Sequence, residues 1–138
     1  MNKAVFTNGQ FFQLFNYLDK QMTILQVSQV VLFKPQGSID LQGGMALSEQ
    51  MAEVVPSADQ LWVIDLAEVD FMDSSGLVPL VKALTTVKQS GCRLVLCNVK
   101  HPVKLILELT QLDSVFEIFN SYDDIFNILS DEHSALAR

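Results

Sequence analysis

The stretch from Trp62 to Leu77 constrains the fold more than any other part of the chain. An apolar run, Trp62-Val63-Ile64, ends at Asp65 and Leu66. An acid-rich loop follows, with Glu68, Asp70 and Asp73. It delivers Ser74, Ser75 and Gly76 to a segment whose apolar residues Leu77, Leu80, Val81, Leu84 and Val87 recur at helical spacing. The pattern predicts a buried strand over residues 61–66, a loop, and a helix over residues 75–89. Asp73, Ser74 and Ser75 belong to the residue types that cap helices, because their side-chain oxygens accept from the free N–H groups of the first turn. The serines are therefore expected at a helix N-terminus.

That placement has two readings. An ordinary cap, Asp73 or Ser74, contributes about 1 kcal/mol and marks only where a helix begins. A hydroxyl at an exposed helix start is also a place where phosphate would meet free N–H groups and the positive end of the helix dipole.

A chain of 138 residues with 49% hydrophobic content can bury one core without a disulfide or metal staple. The net charge of −7, with nine Lys and Arg scattered along the chain, argues against a nucleic-acid partner. Cys92 and Cys97 flank a strand-like run, and their odd separation sends them to opposite faces, so both are read as reduced, buried thiols. His101 and His133 form no ligand spacing with them, and no metal or cofactor is expected. No apolar run approaches the roughly 20 residues that span a bilayer. Residues 1–10 are too polar for a signal-peptide core. A cytoplasmic protein without membrane insertion follows.

Near the start, Phe11, Leu14, Phe15 and Leu18 recur at helical spacing and predict a short amphipathic helix within an N-terminal extension, residues 1–22. It would pack on the domain core, or form a homodimer or partner contact. Residues 23–34 turn β-branched and read as one long strand, or two short ones broken near Ser28, stopped by Pro35. Gly37-Ser38-Ile39-Asp40 reads as a turn, followed by a helix from about Gly44 to Pro56 carrying Met45, Leu47, Met51, Val54 and Val55. After the central strand and helix, Gly91 ends the helix in the left-handed conformation and residues 93–98 form a strand. A helix opens at His101-Pro102, with Val103, Ile106, Leu107, Leu109 and Leu112 inward. A short strand spans residues 115–119, and a last helix is capped by Ser121. Residues 131–138 are a polar tail. The alternation implies right-handed crossovers and an α/β domain over residues 23–130, with a mostly parallel sheet of four or five strands and about four helices.

Asp40 and Asp73 both follow strand ends, where α/β proteins place their sites. With Asp65, Glu68 and Asp70 nearby, that edge is expected to be acidic. An aspartyl phosphorylation site lacks its acidic pair after the first strand. A magnesium phosphatase lacks its Asp-x-Asp. A serine hydrolase lacks the first glycine of its elbow and a placed histidine base. Catalysis by this chain is not expected, and no glycine-rich loop offers a nucleotide site.

Several blocks stand in a telling order: Gly37-Ser38-Ile39-Asp40, then Val63-Ile64-Asp65-Leu66, then Phe71-Met72-Asp73-Ser74-Ser75-Gly76-Leu77, then Gly91 to Val99, then Val103 to Asp113 and Phe116 to Phe119. Together they resemble the STAS family, the sulfate transporter and anti-sigma-factor antagonist domains, and in particular its stand-alone bacterial antagonists. The resemblance implies that an anti-sigma factor, itself a serine kinase, binds the unmodified chain and phosphorylates Ser75, and that a PP2C-type phosphatase reverses the modification. Asp40, Asp73, Ser74, Ser75, Gly76 and Leu77 would form the partner-binding surface. A phosphate adds about −1.5 to −2 charges beside Asp73, so a partner meeting this edge would be repelled. The alternative is a non-switching STAS scaffold or transporter-regulatory module. Pro79 departs from a regular helix: its missing N–H and its ring disfavour the turn below it unless the helix proper begins at about Gly76, with Ser74 kept as the cap.

Overall fold

The structure, a computed structural model, describes residues 3–6 and 29–128. Five parallel strands form the main sheet in the order β1 (Lys3–Phe6), β2 (Gln29–Phe33), β4 (Gln60–Asp65), β6 (Arg93–Cys97), β7 (Glu117–Phe119). A second, two-stranded parallel sheet pairs β3 (Gly37–Ile39) with β5 (Val69–Met72). The helices are α1 (Leu41–Ala52), α2 (Ser74–Gln89), α3 (His101–Leu109) and α4 (residues 122–128), with a 3₁₀ turn at Leu112–Ser114. The α/β class, the mostly parallel sheet and the four helices among the described residues agree with the sequence.

Both faces of the sheet are covered, which is why its central strand is buried throughout. Val31, Phe33, Trp62, Ile64, Leu94 and Leu96 point to the face that carries α1, α2 and α3. Val30, Leu32, Val63, Val95 and Cys97 point to the other, against Ile125 and Phe126 of α4. Alternation along the strands thus sends Cys92 and Cys97 into the two separate cores, both as free thiols. Three crossover helices on one face are what right-handed connections give when strand order advances in one direction.

Several boundaries differ from the sequence reading. Residues 37–39 form a strand rather than a turn, because Gly37 (φ 78°) supplies the bend and Ile39 is buried against Met72. The acid loop contains β5, a four-residue strand in which buried Val69 and Met72 flank exposed Asp70 and Phe71, so no period-2 alternation marks it in sequence. Helix α1 starts at Leu41, three residues before Gly44, since Asp40 rather than a later residue caps it. Val55 lies beyond α1 and is 83% exposed, and Leu109 is 75% exposed, so neither faces inward. The strand read from residue 115 begins at Glu117. The N-terminal helix over residues 11–18, the chain over residues 23–28 and the polar tail lie outside the described residues. Lys3–Phe6, assigned to the extension, forms an edge strand beside β2.

Candidate functional site

The site is built from two helix starts laid side by side. Ile39 pairs with Met72 in the small sheet, and the Asp73 amide donates to the Ile39 carbonyl at 3.4 Å, so Asp40 and Asp73 leave the sheet as neighbours. Each caps the helix that follows. Asp40 Oδ1 accepts from the Gly43 amide at 2.9 Å, and Asp73 Oδ1 accepts from the Ser75 and Gly76 amides at 2.9 and 3.3 Å. The cap of α2 is therefore Asp73, and Ser74 is the first helical residue, exposed to solvent. The helix begins before Gly76, which leaves Pro79 inside it. Having no N–H, Pro79 gives the Ser75 carbonyl no helical donor, and the first turn rests on the Asp73 cap.

Gly76 is buried because the small sheet presses on it. A Cβ at that position would lie 2.2 Å from the Ile39 carbonyl oxygen and 2.8 Å from Met72 Cγ. Leu77 is also buried, in the core beneath. Gly76 and Leu77 thus support the serine from below, whereas Asp40, Asp73, Ser74 and Ser75 stay partly or wholly open to solvent.

Ser75 lines one wall of a groove of about 420 Å³ between α1 and α2, floored by Gly44 and Pro79 and edged by Leu41, Met45 and Val78. Those three apolar side chains are 65%, 58% and 57% exposed. The sequence reading placed Met45 in the apolar pattern of its helix and gave Leu41 and Val78 no role. The available signal was a surplus: with Leu47 and Met51 facing inward, Leu41 and Met45 form a second stripe one turn apart that the core does not need.

The expected acidic edge is much reduced. Asp65 is buried, not displayed. Its carboxylate accepts from the Tyr122 hydroxyl, from Asn98 Nδ2 at 3.1 Å and from the Ala67 amide at 2.9 Å, with Lys34 Nζ at 4.0 Å. Burial and the bond to Asp65 push the Tyr122 phenol well above its ordinary range, and burial followed by the Asp65 charge does the same to the Cys97 thiol. Asp70 pairs with Lys100 at 2.8 Å, and Glu68 accepts from Gln36 at 2.7 Å. What remains is a pair of carboxylates, Asp40 and Asp73, each turned onto helix N–H groups.

The profile of the STAS domain family matches residues 21–125, and the chain belongs to that family. It is 28% identical over 103 residues to an anti-sigma F factor antagonist of Paenibacillus polymyxa, covering 74% of this chain and 86% of that protein. Among solved structures, it resembles an anti-sigma factor antagonist from Mycobacterium paratuberculosis with a TM-score of 0.61 and 28% identity, over 72% of this chain and 85% of the other. The STAS domain of a SulP transporter from Vibrio cholerae shares the fold, with a TM-score of 0.59 at 12% identity, over 88% of this chain and 98% of the other. Among the described residues, no helix is long and apolar enough to cross a membrane.

Proposed function

We propose that this chain is an anti-sigma factor antagonist that works by partner switching in the cytoplasm and has no catalysis of its own. Unmodified, it binds an anti-sigma factor that is also a serine kinase. Phosphorylation of Ser75 releases the complex, and a PP2C-type phosphatase restores binding. The observation that carries this reading is the setting of Ser75. It is partly exposed, in the first turn of α2, with its amide held by Asp73, and it lines a groove edged by exposed apolar side chains. Asp40, Asp73, Ser74 and Ser75 form the contact edge, and Gly76 and Leu77 hold its shape. A phosphate there would find helix N–H groups that tolerate it and an adjacent Asp73 that does not, so the surface changes character without refolding.

The test is an affinity measurement against the serine kinase recovered with the unmodified protein from its own cells. Ser75→Ala is expected to bind like wild type, and Ser75→Asp to lose at least about tenfold, equivalent to roughly 1.4 kcal/mol. Equal binding by Ser75→Asp and wild type would overturn the switch and leave a scaffold role.

A further inference from the structure

The groove beside Ser75 changes character along its length. At the serine end, α1 contributes Leu41 and Met45, one turn apart, and α2 contributes Val78 to the same groove. Large apolar side chains left in water on adjacent helices mark a contact surface. Glu49, one turn beyond Met45, is the first charge on the α1 wall. Past Pro79 a second depression of about 290 Å³ continues the groove to Lys82. Among the described residues, no Lys or Arg lines the serine end.

Building on the proposed switch, we infer that the partner lays an amphipathic helix in this groove. Two of its apolar side chains, one turn apart, seat against Leu41, Met45 and Val78, and a Lys or Arg one turn further on meets Glu49. Phosphate on Ser75 then releases the helix by setting a hydrated charge against those apolar side chains. Apolar anchors one turn apart are how a helix fills such a groove. The charge of the occupant follows from Glu49 and from the net charge of −7 on this chain. The mode of release follows from the missing cation. A phosphate flush with a docked apolar surface sheds water and gains no counter-charge from the described residues that line the serine end, a cost that salt does not screen. Repulsion between exposed charges, in contrast, fades within about 3 Å at 1 M salt.

The experiment measures affinity between the full chain and the same kinase for Met45→Glu, Met45→Ala, Val78→Glu and Leu109→Glu, and for chain phosphorylated at Ser75. All three positions are well exposed, and thermal melts verify that each variant folds. Met45→Glu and Val78→Glu should weaken binding at least about tenfold and Met45→Ala by a smaller factor, while Leu109→Glu on α3 stays within about twofold of wild type. The phosphorylated chain should bind weakly at about 0.05 M and about 0.5 M salt alike. If the phosphorylated chain bound like the unmodified one, the switch itself would fail. Loss on phosphorylation with unaffected groove variants would overturn the groove and spare the switch. Recovery of phosphorylated binding at high salt would assign release to repulsion and overturn the desolvation step.

Discussion

Asp73 holds Ser75 by its amide and leaves the hydroxyl outside the cap. Removing that cap in Asp73→Ala should cost about 1 kcal/mol in urea unfolding, with Asp73→Asn closer to wild type. An unchanged midpoint for the alanine variant would refute the capping role. Asp65 does a different job. Its carboxylate ties the ends of β2, β4 and β6 to the first residue of α4 through Lys34, Asn98 and Tyr122. Because the bond is partly buried and made to a carboxylate, Tyr122→Phe should lose about 1.5–3 kcal/mol. Lys100→Ala, which breaks an exposed pair, should lose at most about 1 kcal/mol. Urea denaturation of the two variants decides the order, and a larger loss for Lys100→Ala would contradict it. Residue types make the caps of α2 and α4 legible in sequence to within one position, whereas Asp40 reads there as part of a turn and its helix as starting three residues later. The burial of Asp65 was not legible, because its hydroxyl donor is 57 residues away and nothing local distinguishes it from the loop acids beside it.

At the scale of elements, the small β3–β5 sheet sets the position of the site. It brings two helix starts together, and it does so through contact with Gly76. Gly76→Ala must push the Ile39 backbone away and should destabilise by about 1–3 kcal/mol or more, read as a lowered melting temperature. A melting temperature equal to wild type would mean that the small sheet does not press on α2. Strands β4 and β6 and helix α2 were legible because each shows a sustained period or an uninterrupted apolar run. Strands β3 and β5 were not, since Gly37 and Ser38 are turn-type residues, Asp70 sits inside β5, and short parallel pairing depends on a partner distant in sequence. The groove was missed for a related reason. Periodicity shows that Leu41, Met45 and Val78 are apolar, but only the packing of α1 on α2 shows which apolar residues are left over.

Across the whole molecule, stability depends on two cores separated by the sheet. Phe126, buried to 1% exposure on the face opposite α1 and α2, should cost about 3–5 kcal/mol when cut to alanine. A loss below about 1 kcal/mol would show that α4 contributes little to closing that face. The same burial makes the protein sensitive to alkali. It pushes the Cys92 thiol from 9.0 to about 11, and Cys97 and Tyr122 are raised too. A raised value stabilises fully below the ordinary pKa. The Cys92 contribution is therefore lost between pH 9.0 and about 11, where the unfolded chain ionises first. Urea midpoints should fall as pH rises through that window, and a midpoint that rose would reverse the sign. The switch turns on Ser75, and phosphopeptide mass spectrometry of the protein isolated from its own cells during growth and under stress, fragmenting the peptide that carries Ser74 and Ser75, decides whether it operates. A phosphate on Ser75 is expected, with occupancy that changes between the two conditions. Phosphate confined to Ser74, or absent in both conditions, would contradict it.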